Sequence, residues 1–564
     1  MGNSYVTTER QRRIKRLKRQ AKQTYNEILD KMKMSKKKLF IILGVATAVI
    51  LFISIYFGLI PFSFHFSGFR VVLAVLLIIW SIPLLFYSRL FNTQKSWKRS
   101  WFVAPLVALV VLIVVCLLTS IITSPLFMSG RYREMISVVD NHEFTEDVED
   151  YTTMQIPVVD KTLAEKLGDK KLGEDNLGSQ FGVGEYYMIC HNNNLYWIAP
   201  IEFNGFFPWT NRGVSPGYVM INANNPADVQ VIKSELRYTD SAYFWRDLDR
   251  NNYFGNLTAW RANDAHLELT DEGEPRFVET VYANKIGFLS GRDVVGIIVT
   301  NPYTGECKYY DYLSAPTWIN HVITEEIVIE QLNNWGSYVN GFFNAIFAKN
   351  EVLNVSTGVN YVYSNGNMYL QTGMTSVGSD ESIVGVMMVD MRTKEAFFYR
   401  IGGATEYAAA QSAIGKDQEK RYTASDPIMI NLNDTPTYFI MLKDDEGLVK
   451  RYAYVNVKDY RLVVTGETKE EALLEYNKLI DNDEETLAEE RTISEIVPVN
   501  VDGNTYYYIK LEKEQGDAEG FENFVFRVSI KTNSQLPFLK TGDRIKVTYY
   551  AYGDMYEITE LETI

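Results

Sequence analysis

Apolar positions fall into two regimes along the chain. Residues 39–60, 71–87 and 102–124 are three nearly unbroken apolar runs without Asp, Glu, Lys or Arg. Each has about the length needed to cross roughly 30 Å of hydrocarbon as a helix. Beyond residue 124 the apolar residues come in short alternating bursts, which is the period of half-buried strands. The chain thus reads as a membrane anchor followed by a large folded domain.

The bursts are organised as hairpins. Residues 294–311 (VVGIIVTNPYTGECKYYD) and 383–400 (IVGVMMVDMRTKEAFFYR) align without a gap. They share Val295/Val384, Gly296/Gly385, Thr304/Thr393, Glu306/Glu395 and Tyr310/Tyr399. Each is an apolar strand, a polar turn and an aromatic strand. A second hairpin precedes each, over 266–282 and 360–376. Two further pairs are expected by pattern alone: 186–202 with 217–232, and 428–444 with 448–466. Helices are expected after the pairs, at 233–248, 318–347, 404–419 and 468–480. The last opens with Thr468 and Glu471, a capping box. The repeated unit predicts a four-stranded antiparallel sheet with a helix on one face. Residues 490–564 differ: five strands, at 493–501, 505–511, 524–530, 544–552 and 555–563, suggest a small barrel of the OB type.

The expected class is therefore α+β. Residues 1–38 form a basic segment and 39–127 a three-helix transmembrane anchor. An acidic connector occupies 128–184. Two pairs of hairpin-plus-helix modules cover 185–350 and 351–485, and the OB-like barrel covers 486–564.

Charge orients the anchor. Residues 1–124 carry 18 basic and three acidic side chains, against 38 and 67 in the remainder. The basic ones concentrate before the first run and between the second and third, at Arg89, Lys95, Lys98 and Arg99, whereas Arg70 is alone between the first and second. Positive loops stay cytoplasmic, so the expected topology is a multi-pass cell-membrane protein with its N-terminus inside and its C-terminal domain extracytoplasmic. So acidic a domain is a poor holder of nucleic acid. Uncharged spans do not suggest a transport path; they would suit packing into a homo-oligomer or against other helices.

The modules resemble PepSY-type units through VTNPYTGECKYY and VDMRTKEAFFYR, in which Lys394 stands where the turn Gly is usual. The chain also looks similar to membrane-anchored bacterial proteins carrying Trp-Gly-x-Tyr-Val-x-Gly, here Trp335, Gly336, Tyr338, Val339 and Gly341. PepSY modules are generally linked to inhibiting or regulating extracytoplasmic proteins, so the resemblance implies binding rather than catalysis.

Motifs for chemistry are sparse. The stretch at His142 lacks the second histidine of a zinc helix. Lys540-Thr541-Gly542 has no Ser-x-x-Lys partner beyond the membrane segment. Asp247, Asp249, Asn251 and Asn252 alternate like a calcium loop, but the twelfth position is Thr258 rather than Glu. Cys190 and Cys307 could pair in one disulfide. No cofactor is expected. The candidate partner-binding residues are Phe203, Phe206, Phe207 and Trp209, aromatics that could stack on sugars or anchor a protein; packing against the first sheet is the alternative. The expected function is a non-enzymatic scaffold or binding protein engaging a protein or an envelope glycan. An envelope enzyme with carboxylates drawn from distant residues, or a membrane subunit of a larger machine, are the alternatives.

Overall fold

The computed structural model describes residues 36–90, 96–140, 142–148, 156–262, 264–364, 366–376, 382–480, 487–501, 504–514, 521, 524–530, 532–533, 535–552 and 555–564. Most of the basic N-terminal segment, Lys95 and the Asp502-Gly503 and Gly553-Asp554 turns lie outside the described residues. Three helices form as the apolar runs predict: α1 (Lys36–Tyr56), α2 (Ser67–Leu90) and α3 (Ser96–Ile122). All three are long and apolar enough to cross a membrane, and their side chains are largely uncovered by protein.

The sheet domain packs on one end of this anchor. Between α1 and α2, Tyr253 Oη donates to Ile60 O (2.8 Å) and Asn284 Nδ2 to His65 O (3.0 Å). At the end of α3, Thr123 Oγ1 meets Ser290 Oγ at 3.0 Å. A short helix follows at once, α4 (Pro125–Arg133), whose Arg133 donates to Trp335 O. The 57–66 loop and the end of α3 thus lie on the sheet-domain side, and the last residue of α2 and the first of α3 are at the far end.

All eight expected hairpins form. Together they make four antiparallel meanders of four strands. The first is β3 (Tyr187–His191), β4 (Asn194–Phe203), β5 (Ser215–Asn222) and β6 (Val229–Leu236). The second is β8 (His266–Leu269), β9 (Pro275–Ile286), β10 (Ser290–Thr300) and β11 (Cys307–Asp311), and the third is β12 (Leu353–Ser364), β13 (Asn367–Ser376), β14 (Ser382–Asp390) and β15 (Glu395–Tyr399). The fourth is β18 (Ile428–Leu432), β19 (Thr435–Lys443), β20 (Val449–Asn456) and β21 (Val463–Gly466). Short strands β2 (Phe181–Val183), β7 (Trp260–Arg261), β16 (Gly403–Ala404) and β17 (Thr423–Ala424) pair at the edges with β4, β9, β14 and β19.

One feature recurs in all four. The turn between the third and fourth strands begins with Asn222, Asn301, Asp390 or Asn456, whose side-chain oxygen accepts from the backbone two residues on, at 2.7–2.9 Å. The next residue's carbonyl is the dock for the chain entering the adjoining helix. Val158 and Val159 donate to Ala223 O, Arg237 and Tyr238 to Pro302 O, Val322 and Ile323 to Met391 O, and Ala404 to Val457 O. Short polar side chains that mimic a backbone turn are the physical reason for Asn or Asp here. The identical glycines have a cause too. A Cβ on Gly296 would stand 2.4 Å from Tyr310 O, and one on Gly385 2.3 Å from Tyr399 O. Lys394 takes φ +65°, where Gly305 takes +77°, a strain offset by its ion pair with Asp293 at 2.7 Å.

The helices are α5 (Lys161–Glu174), α6 (Phe206–Arg212), α7 (Leu248–Gly255), α8 (Glu325–Ser337), α9 (Glu406–Lys416) and α10 (Lys469–Ile480). The helix expected at 233–248 is corrected: β6 runs on to Leu236, paired across a bulge at Ser215/Gly217, and α7 begins only at Leu248. In α10, Glu471 N donates to Thr468 Oγ1 (3.1 Å), while Glu471 Oε2 accepts from Glu467 N rather than from Thr468 N.

The segment expected as a connector carries structure. β1 (Ser137–Asp140) adds a parallel strand to β15. Asp160, the N-cap of α5, pairs with Lys443, and Lys166 donates to Glu446 O (2.6 Å). These contacts return the fourth sheet to the first, and one apolar core runs through all four. The C-terminal strands β22 (Leu487–Val501), β23 (Asn504–Leu511), β24 (Phe526–Ser529), β25 (Arg544–Tyr552) and β26 (Met555–Thr563) pair in the cyclic order β22-β23-β24-β26-β25 around a separate core.

Candidate functional site

Four aromatics in seven residues follow β4, and the chain splits them. Phe203 ends β4, is 5% exposed and packs on Phe181 with ring centroids 5.4 Å apart. It belongs to the core of the first sheet, which corrects its place among surface candidates. Gly205 then turns the backbone at φ +99°, a conformation glycine adopts freely. Helix α6 starts there and carries Phe206 and Phe207 outward, while Trp209 is partly buried against the core. Phe207 is 78% exposed and Phe206 41%.

These rings meet a second aromatic run, Tyr243-Phe244-Trp245, which the sequence reading passed over. Its signal is three consecutive aromatics in a polar stretch. Phe206 lies 5.2 Å from Tyr243, and Trp209 lies 5.5 Å from Tyr243 and 5.8 Å from Phe244. Trp209, Tyr243, Phe244 and Trp245, together with Thr210, Gly213 and Arg246, line an open recess of about 440 Å³. Backbone contacts hold its shape: Arg246 Nη1 donates to Gly213 O (2.6 Å) and Arg250 Nη1 to Phe244 O (2.7 Å). Trp209 Nε1 is buried and has no acceptor among the described residues. The floor reaches the anchor, since Trp245 meets Tyr56 at 5.9 Å and the Arg250 guanidinium lies 4.7 Å above the Tyr56 ring. The recess can hold a flat or apolar group against its aromatic walls.

A second cluster sits in the interior where the first three sheets meet. Glu268 on β8 is fully buried. It accepts from Asn320 N (3.0 Å), Asn320 Nδ2 (2.8 Å) and His321 N (2.8 Å). His266 Nε2 stands 3.3 Å away. His266 stacks on Tyr187 at 4.6 Å, and His321 gives Met188 O a 2.6 Å partner. Every oxygen of Glu268 is thus engaged in joining strands to the 318–324 loop, an arrangement that fixes structure.

Burial opposes ionisation of Glu268, but the neighbouring His266, then His321 and Asn320, outweigh it and hold the carboxyl below its usual value. Burial lowers the pKa of His321, against the pull of Glu268. In both cases the folded protein binds fewer protons than the unfolded chain, so acidification costs stability, first from His321 and then from Glu268. Asp264 works the other way: burial pushes it up to about 6, so it contributes stability as pH falls through that value. The urea midpoint is therefore expected to drop less between about pH 7 and about pH 5 in His321→Gln than in the unaltered protein. An equal drop, followed by tryptophan emission, would contradict this.

The calcium-like loop is the start of α7. Asp247 is its N-cap, accepting from Arg250 N at 2.8 Å. Asn251 donates to Gly305 O, and the buried Asn252 joins Glu279 (2.9 Å) and Thr300 (2.6 Å). Among the described residues no group of three or more His, Cys, Asp or Glu is placed to hold a metal. Cys190 on β3 and Cys307 on β11 are both free thiols.

Neither a family model nor a curated protein matches the sequence. Among solved structures, an ACO/RPE65 chimera matches at TM-score 0.13 and 7% identity, over 51% of this chain and 50% of that one. The chain thus spans about half the length of that structure. A levansucrase mutant from B. megaterium matches at TM-score 0.18 and 8% identity, over 74% of this chain and 93% of that one. A levansucrase variant complexed with sucrose matches at 0.18 and 10%, over 76% and 96%. Likeness at that level carries no argument about this chain.

Proposed function

We propose that this chain is a membrane-held binding protein. Three spans anchor it with the N-terminus in the cytoplasm, and the sheet domain projects into the extracytoplasmic space. The Lys and Arg concentrated before the first span and between the second and third support that orientation. The recess between α6 and Tyr243–Arg246 takes a protein or an envelope glycan, and the four meanders are the rigid scaffold that presents it. The observation that carries this reading is the exposed Phe207 beside a recess lined by Trp209, Tyr243, Phe244 and Trp245. Aromatic side chains in such pockets dominate binding energy where they are desolvated by a partner. The cyclic strand order of the C-terminal strands, with β24 and β26 parallel, supports an OB-type barrel as a second, separately cored module.

The test compares the intact protein with a Phe207→Asp, Trp209→Ala double variant. A crosslinked envelope partner, or a tryptophan emission shift on adding soluble cell-wall fragments, should be lost in the variant. Retention of the same partner and the same shift by a folded double variant would sink the proposal.

A further inference from the structure

A second apolar surface lies away from the recess. After α8 the chain turns at Gly341, forms one helical turn and then a wider turn over Asn344–Ala348, ending at Lys349 in the left-handed conformation. The aromatics of this stretch divide. Trp335 packs inward on Phe398 at 5.5 Å. Phe343 is 64% exposed, Ile346 48% and Phe347 76%. The segment is seated on α4: Tyr132 meets Tyr338 at 6.2 Å, and Gly341 lies against Ser129. Helix α4 itself exposes Phe127 at 62%.

Two observations say what covers this face. The first is position. Pro125 follows the last residue of α3 by three residues, at most about 10 Å of chain. The headgroup layer flanking the hydrocarbon is roughly 5–8 Å deep, so α4 starts in or just beyond it. The second is charge. In a domain with 67 acidic side chains, residues 331–350 hold none, and neither do residues 103–133; Glu134, Glu330 and Glu351 stand at their borders, Glu351 facing Asn340 at 3.4 Å. The charges within are Arg131, Arg133 and Lys349. An apolar face whose own charges are cationic, with its nearest acids at the edge, continuous with a membrane-spanning helix, has the composition of an interfacial segment. We infer that Phe127, Phe343, Ile346 and Phe347 insert into the lipid leaflet on the sheet-domain side, with Arg131 and Lys349 at the headgroups. The sheet domain is then held at a fixed height and tilt by a second attachment besides its tether.

The intact protein is reconstituted in bilayers of phosphatidylethanolamine and phosphatidylglycerol, with and without bromine near the head of the acyl chains. Phe347→Trp and Phe343→Trp each add one indole to this face, and Phe538→Trp adds one to an exposed barrel residue as control. The emission added at 347 and at 343 should be mostly lost in brominated bilayers, and that at 538 retained. The inference is overturned if the added emission survives bromination in whichever of the two variants folds. Quenching by aqueous acrylamide instead would place the face in water, and protection from both quenchers would place it under a protein.

Discussion

Glu268→Gln should destabilise the sheet domain by about 3–5 kcal/mol, the cost of breaking a fully buried charged pairing. The residue has no solvent exposure. Its two oxygens receive the backbone N–H of Asn320 and His321 and the Asn320 amide, with His266 beside them. Glutamine keeps the shape but replaces one acceptor oxygen with a donor. That NH₂ must face at least one N–H that cannot turn away, because it is backbone. An unsatisfied buried donor alone costs about 1–3 kcal/mol. The remainder is the lost charge. Urea denaturation in detergent, read by far-UV circular dichroism, measures it, and a loss under about 1 kcal/mol would show that water already reaches the cluster.

Arg261→Met should cost a similar amount, about 3–5 kcal/mol, through a different fault. Arg261 and Glu279 are both buried, with Nη1 3.1 Å from each carboxylate oxygen. Methionine fills much of the space and leaves Glu279 without its cation. Burial already raises the Glu279 pKa, and losing the cation should raise it further, so the protonated carboxyl persists to higher pH and stability falls as pH rises. The sign follows from the raised folded-state value: the protonated form is the one the fold tolerates. The double variant Arg261→Met, Glu279→Leu should recover most of the loss, because a buried pair replaced whole by apolar groups is often neutral. Failure of the second change to rescue the first would show that Arg261 acts through its other neighbours, Asp249 at 3.6 Å or the Tyr253 ring 5.9 Å below its guanidinium, rather than through its pairing with Glu279.

Much of this architecture was legible because local signals and burial agree. Strict alternation bounded by Asn, Asp and Gly placed the eight hairpins and four of the barrel strands within a few residues. The middle two units declared themselves through Gly296/Gly385 and Tyr310/Tyr399, which are identical because each glycine backs onto its tyrosine's carbonyl. The outer units keep only the turn residue, Asn222 or Asn456, and one short polar residue is too common a signal to find a repeat by. The 128–184 stretch hid its role because a parallel edge strand and an ion pair at the start of α5 depend on partners 250 or more residues away, such as Glu395 and Lys443. Lys233–Leu236 reads like the charged start of a helix, but its register opposite Gly217 comes from sheet pairing.

The recess was half legible. Phe206, Phe207 and Trp209 stood out by density, but density does not separate the inward Phe203 from the outward Phe207. Strand alternation buries Phe203, and Gly205 reverses the chain after it. Tyr243–Trp245 escaped notice because its partner surface is 34 residues upstream. The Glu268 cluster gave no signal, since Glu268, Asn320 and His321 converge only through packing of two sheets.

The most direct test of the binding role places a photoreactive benzoyl-phenylalanine at Phe207 in the full-length protein in living cells. The account predicts a discrete covalent adduct with an envelope protein or glycan, absent when the same probe stands at Phe538. No adduct at 207, or the same adducts at both positions, would contradict a specific partner at the recess.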